Sequence, residues 1–318
     1  MISRERRRMI VRRMLQAIPV LLLVTFFSFL LLHLSPVDPA VLLAGENPTP
    51  AQIEEIRRYY HFDDPMVVQY GRWLWNVLHG DLSKSLISRE PVITTIEAKF
   101  PATLLIVLYA MVIAICVGAP LGIGAAAKPG SWIDQLATAV ASFGVAVPYF
   151  WVGMVLVLIF GLRLGWFPAT GLVPFSESPW LAIQSATLPA IAVSLSGIAE
   201  ITRQLRAALL EVLSSHFVRT LRAKGLPWRS ILWRHGLKNV GITLVTVIGL
   251  VFNRKIGATV VIETVFAIPG MGYAASYATI NKDFVVVQGI ILVFALIVVS
   301  VNLIVDLAYA LLDPRVEA

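Results

Sequence analysis

Long apolar runs divided by shorter polar stretches set the pattern of this chain. Crossing ~30 Å of hydrocarbon takes ~20 residues of helix, and six runs reach that length: 14–34, 102–127, 136–162, 181–201, 240–262 and 285–312. The first follows MISRERRRMIVRRM, which has the basic start of a secretory leader. Its apolar stretch exceeds the roughly 7–15 residues of a leader core, and no small-x-small cleavage site follows Leu34, so it reads as a retained span. The pattern predicts an all-α integral membrane protein with six transmembrane helices.

Six spans leave both ends on one side, and Lys and Arg gather on the cytoplasmic side of membrane proteins. With the N-terminus inside, the inner segments hold sixteen of the 26 basic residues: six arginines before the first span, Lys128, eight cations between Arg203 and Lys238, and Arg315. The outer segments hold eight: Arg57, Arg58, Arg72, Lys84, Arg89, Lys99, Arg163 and Lys282. The remaining two, Arg254 and Lys255, lie within the fifth run. Both termini are therefore expected in the cytoplasm. On this reading the chain divides into a cytoplasmic start with the first span (1–35), an extracytoplasmic loop (36–101) and a core of five spans (102–318). Within the loop, TPAQIEEIRRYYHF predicts a short helix. Thr49 is its N-cap, Pro50 its first residue, and Gln52 stands three residues after the cap, the spacing of a capping box.

Composition agrees with the pattern. The 318 residues are 58% hydrophobic and 14% charged, with a mean hydropathy of +0.79; soluble domains carry about 25% charge. A chain of this size cannot hide that apolar surplus in a soluble core. The net charge of +7 fits cytoplasmic loops of such a chain better than a nucleic-acid surface. Cys116 is the sole cysteine, so an intrachain disulfide or a cysteine metal site is excluded. No G-x-x-x-x-G-K-[ST], H-E-x-x-H, C-x-x-C or G-x-S-x-G occurs, and the five histidines show no ligand spacing. SLSGIAE (194–200) superficially resembles a nucleotide-cassette signature, but it lies inside the fourth run without the rest of that motif.

Between the spans the cations are densest in FVRTLRAKGLPWRSILWRHGLKN (217–239), with six Lys and Arg in 23 residues. The fourth run continues past Ile201 as RQLRAALLEVL, a good helix former with Arg203 and Arg206 three apart. A second short helix is predicted over 216–224. Gly225 is placed to take φ > 0 just past it, and Pro227 forbids continuation. Trp228 and Trp233 among Arg229, Arg234 and Lys238 describe an elbow in the inner headgroup layer. A helix held between two anchored arms can protrude into a partner's groove, with Phe217, Val218 and Leu221 as apolar anchors. The pattern alone fits equally well a surface helix whose cations simply follow the positive-inside rule.

VRTLRAKGL and WRHGLKN together resemble the cytoplasmic coupling-loop motif of bacterial ABC-transporter permeases of the dipeptide, oligopeptide and nickel type. RRMLQAIPVLLLVTFFSFLLLHLSPVDPA, GDLSKS (80–85), TLPA (187–190), ETVFAIPGMG (263–272), VVQG (286–289) and NLIVDLAYALLDPRV (302–316) resemble that family in the same order. The resemblance implies a type I ABC importer permease fold in a bacterial inner membrane, with a cytoplasmic coupling helix. It implies a non-enzymatic subunit forming half of the translocation pathway for peptides, glutathione or nickel. Its partners would be a second permease, two cytosolic ATPases that bind ATP and magnesium, and an extracytoplasmic solute-binding protein. This chain itself would hold no cofactor and no metal. The residues carried over to the ATPase interface are Phe217, Arg219, Thr220, Leu221, Ala223, Lys224 and Gly225, with Leu221 standing where the family motif usually has alanine.

Charges within spans add a second candidate site. A basic side chain at the bilayer centre costs roughly 2.5–3.5 kcal/mol on insertion scales, and no acid lies three or four residues from Arg254 or Lys255. Asn253, Arg254 and Lys255 are expected either to line the translocation cavity, where cations suit a carboxylate-bearing solute, or to meet a charge on the partner permease. Glu263, Pro269, Gly270 and Asp283 are expected to close an outer gate or meet the binding protein. Asp306, four residues after Asn302, is expected to form hydrogen bonds near the inner interface. An ion-coupled transporter using Asp306 and Glu263 is the competing class, and the lack of an inverted internal repeat weighs against it.

Overall fold

A helix satisfies all its backbone polar groups within one segment, which is what lipid demands of a single apolar run. The computed structural model describes residues 4–34, 38–45 and 47–312. Its helices are α1 (Arg4–Leu34), α2 (Pro39–Ala44), α3 (Pro50–Tyr59), α4 (Met66–Leu78), α5 (Val92–Ala127), α6 (Trp132–Ala146), α7 (Tyr149–Leu156), α8 (Pro179–Ser214), α9 (His216–Ala223), α10 (Trp228–Ser230), α11 (Leu237–Asn239), α12 (Gly241–Val265), α13 (Met271–Ile280) and α14 (Phe284–Leu312). Wider π-turns extend α7 over Val157–Arg163 and join α10 to α11 over Ile231–Gly236. Arg315 and the last residues of the closing motif lie outside the described residues, as do the side chains of Arg4, Arg6, Arg7 and Arg8.

α5 and α8 meet at backbone distance. A Cβ on Gly118 would lie 2.9 Å from the Ile198 carbonyl oxygen, and one on Gly122 would lie 2.8 Å from that of Thr202. The Thr202 hydroxyl donates back to the Gly118 carbonyl at 3.1 Å. Lipid supplies no hydrophobic force between helices, so association rests on such close packing at small residues, and Gly118 and Gly122 have the Gly-x-x-x-Gly spacing. α6 is seated on α8 in the same way, with Gly144 against the Leu195 carbonyl. Asp134, at its start, accepts a two-pronged bond from Arg206 at 2.6 and 2.9 Å.

Side-chain contacts fix which helix ends meet. Arg13 pairs with Asp306 at 3.2 Å, and the Tyr309 hydroxyl donates to Thr246 Oγ1 at 2.7 Å. The start of α1, the end of α14 and the start of α12 therefore share one end of the bundle, together with α9 and the elbow α10–α11. This is the basic end. The Gly171 N–H donates to the Phe266 carbonyl at 2.8 Å, which puts the approach to α8 at the far end beside the finish of α12.

The third run, expected as one span over 136–162, is two helices bent by 97°. Pro148 is the cause. It has no N–H to continue a helix, and it holds Val147 extended at φ −95°, ψ 126°, so α6 ends there. The chain nonetheless starts α6 at the basic end, beside Arg206, and arrives at Gly171 at the far end. The bent pair is thus one broken span, and with the five long helices that suit a membrane it makes six crossings.

Between α1 and α5 the chain folds into a small far-end assembly. α3 is capped as its sequence predicts: Gln52 N–H donates to Thr49 Oγ1 at 3.3 Å, and Thr49 N–H donates to Gln52 Oε1 at 2.9 Å. Arg57 pairs with Asp38. α4 leans on α1 through Tyr70 and Trp73, whose rings meet Phe26 and Phe29. α5 begins at Val92, before its apolar run, because Val92 and Ile96 are buried while Glu97 stays exposed; its first turns are amphipathic rather than wholly apolar.

Candidate functional site

The basic segment folds as a helix stopped by a specific turn. At the end of α9 the Gly225 N–H donates to the Arg222 carbonyl at 2.9 Å, and the Leu226 N–H donates to the Leu221 carbonyl at 3.2 Å. These are the two bonds of a Schellman motif, which needs a left-handed residue; Gly225 supplies it at φ +77°. Arg222 then lies 4.8 Å from the centre of the Trp228 ring, a cation–π contact that ties the helix to the elbow. In the elbow, Leu232 packs with Leu205, Leu209 and Val240, whereas Trp233 is 61% exposed.

Of the expected docking residues, Phe217, Arg219, Thr220, Ala223, Lys224 and Gly225 are exposed and Leu221 is half-buried. Val218 is buried within the chain. It fixes α9 to its own bundle and is unavailable to a partner, a correction to its expected role as an anchor.

The three polar residues of α12 reach two neighbouring helices. Asn253 Nδ2 donates to Asn302 Oδ1 on α14 at 2.8 Å. Arg254 Nη1 meets Glu200 Oε2 on α8 at 2.6 Å, with the arginine side chain 66% exposed and the glutamate 13%. Lys255 is buried, and its Nζ donates to the Val193 carbonyl and to Ser196 Oγ, both at 2.6 Å. The trio therefore divides. Asn253 and Lys255 stitch α12 to α14 and α8, and only Arg254 presents charge on the surface of the bundle.

The far-end residues build a turn. Glu263 is fully buried; its carboxylate accepts from Thr103 Oγ1 at 2.7 Å and from the Tyr273 N–H at 2.9 Å. Thr103 in turn accepts from the Met271 N–H at 2.8 Å. Gly270 packs against the same carboxylate, leaving no room for a Cβ. Asp283, also buried, accepts from the Ser85 hydroxyl and from the Leu86 N–H, joining the GDLSKS segment to the start of α14. Of the four residues expected at a gate or a binding-protein contact, only Pro269 is exposed. Glu263, Gly270 and Asp283 hold the far end of the chain together in this conformation.

Glu200 is the site residue that sequence reasoning passed over. The signal was present: an acid in one span and an unpaired arginine in another call for each other, since intramembrane charges pair. Its place in SLSGIAE drew attention to a false nucleotide signature instead. Asp306, expected to form hydrogen bonds, makes an ion pair with Arg13 at the basic end.

Comparison with known proteins places this geometry in a family. Residues 118–318 match the family described as binding-protein-dependent transport system inner membrane component, and residues 6–107 match its N-terminal companion. A putative peptide transport system permease of Brucella suis is 41% identical over 309 residues, covering 97% of this chain and 98% of that one. The oligopeptide transport system permease AppB of Bacillus subtilis is 35% identical over 311 residues, with the same coverage. The glutathione transport system permease GsiC of Escherichia coli is 35% identical over 308 residues, again at 97% and 98%. Among solved structures, the inward-facing MetNI methionine ABC transporter has a chain that superposes with a TM-score of 0.58 at 17% identity, covering 70% of this chain and 99% of that one. The fold is that of an ABC importer permease, and the chain belongs to the family of binding-protein-dependent transport system inner membrane components, the non-catalytic membrane subunits of ABC importers.

Proposed function

We propose that this chain forms half of a peptide pathway and that α9 is the joint through which ATPases drive it. The observation that carries the reading is α9 itself: an exposed basic helix, stopped at Gly225 and held between α8 and the elbow that feeds α12. Docked in the groove of a cytosolic ATPase, it would shift α8 and α12 together whenever the ATPase pair closes on ATP. ATP and magnesium belong to those partners, and this chain holds no cofactor of its own. A second permease completes the pathway and an extracytoplasmic binding protein delivers the solute. The sequence census, sixteen basic residues in the segments expected inside against eight in those expected outside, supports a cytoplasmic basic end with both termini on that side.

The peptide assignment rests on relatives named for peptide and oligopeptide transport, and the glutathione-named relative marks the second substrate to test. Arg254 fits the pathway. An arginine so exposed on a spanning helix belongs against water, and its charge suits a solute bearing a carboxylate. Pro269, the exposed residue of the far-end turn, is the remaining candidate for a binding-protein contact.

The test is reconstitution of the chain with its second permease, ATPases and binding protein in liposomes. Peptide-dependent ATP hydrolysis and uptake are expected, and glutathione in the same assay separates the two substrates. Transport by the isolated chain without an ATPase overturns the proposal. Uptake unchanged in Arg254→Ala, at normal complex abundance, removes Arg254 from the pathway.

A further inference from the structure

We infer that α4 lies flat in the far-end membrane surface, with one face of the helix seated in lipid acyl chains. Its 13 residues divide into three arcs. Tyr70 and Trp73 face the protein, against Phe26 and Phe29 of α1. Gln69 and Arg72 face the preceding loop: the Gln69 amide donates to the carbonyls of Phe62 and Asp64 at 2.9 and 2.8 Å, and Arg72 bonds Asp64 at 2.7 Å. The third arc is apolar and uncovered. It carries Val67, Val68, Gly71, Trp75 and Leu78, whose large side chains are 49–74% exposed.

An apolar arc this broad is out of place in water, and three observations identify lipid as what covers it. The first is depth. The Tyr70 hydroxyl bonds the Leu22 carbonyl at 3.2 Å and Thr25 Oγ1 at 2.9 Å. Leu22 lies eight residues inside the end of the apolar span Val11–Leu30, roughly 12 Å at the helical rise. α4 thus sits beside the outer part of the span and not above it. The second is position: α1 is itself at the edge of the bundle, with Leu22, Leu23 and Phe27 exposed around the contact. The third is chemistry. A helix with one apolar face, a tryptophan at its margin and an arginine on its polar side has the make-up of an interfacial helix.

The experiment uses the assembled transporter in liposomes, with Cys116 replaced by serine. Spin labels go at Val67→Cys, Gly71→Cys and Leu78→Cys on the apolar arc, at Arg72→Cys and Asn76→Cys on the polar arc, and at Leu23→Cys as a lipid-facing reference. Nothing lies within 4 Å of a Cβ at Gly71, so a label there starts from open space. The three apolar-arc labels should collide with oxygen several-fold more often than with a water-soluble nickel chelate, as at position 23. The polar-arc labels should show the reverse. Apolar-arc labels that favour the nickel chelate overturn the inference, because the arc is then in water. Labels immobilised and shielded from both reagents overturn it too, because a partner protein then covers the arc.

Discussion

Gly225 sits at φ +77° with open space where a Cβ would go, so a replacement there fails on backbone conformation and not on crowding. A leucine in the left-handed region costs roughly 1–2 kcal/mol, whereas asparagine visits it readily. Gly225→Leu should therefore reshape the Schellman turn and reduce peptide uptake while the spans remain inserted and the ATPases still hydrolyse ATP. Gly225→Asn should retain most uptake. The ratio of ATP hydrolysed to peptide imported reads both, and equal ratios in the two variants would place the joint elsewhere. At Arg254 the exposure decides the energetics. If that face is wet, a double-mutant cycle with Glu200→Gln and Arg254→Ala should give a coupling of only about 0.2–1 kcal/mol, and the coupling should shrink as salt rises. A larger, salt-insensitive coupling would mean that the pair is sealed from water.

At the scale of elements, the α5–α8 contact leaves little tolerance. A side chain at Gly118 or Gly122 must push apart two backbones, and overpacking of this kind costs typically 1–3 kcal/mol. Gly118→Leu and Gly122→Leu should each lower the yield and the thermal midpoint of the purified complex, whereas Gly71→Leu on α4, which meets nothing, should leave both unchanged. The apolar runs made five of the spans legible because length and hydropathy are local properties. They could not show the break at Val147 and Pro148, since a run that contains a proline can be kinked, broken or tolerated according to its neighbours. The cap of α3 was legible to the residue, because Thr49, Pro50 and Gln52 act only on one another. The π-turn in the elbow had no sequence signal.

For the molecule as a whole, family and fold could be read from ordered motifs, but what the motifs do inside the chain could not. From the sequence, Glu263 and Asp283 are expected at an outer gate or a binding-protein contact. The fold buries both, since each accepts hydrogen bonds from segments more than a hundred residues away. Glu263→Ala would leave Thr103 and the Tyr273 N–H without their shared acceptor, so a loss of about 3 kcal/mol or more is expected, seen as a lower thermal midpoint of the complex. Glu263→Gln, which keeps one acceptor, should fall between the two. The same carboxylate has a mechanical consequence. α12 runs 25 residues without a proline, roughly 38 Å at the helical rise. One end is fastened to the elbow behind α9, and the other is clamped through Glu263 to α13. A strut of that kind does not absorb displacement along its length; it hands it on. On the proposed coupling role of α9, a push received at the basic end is expected to travel along this strut to the far-end turn, and the π-turn before it and the Ala267–Ile268–Pro269 link after it are where its direction can change.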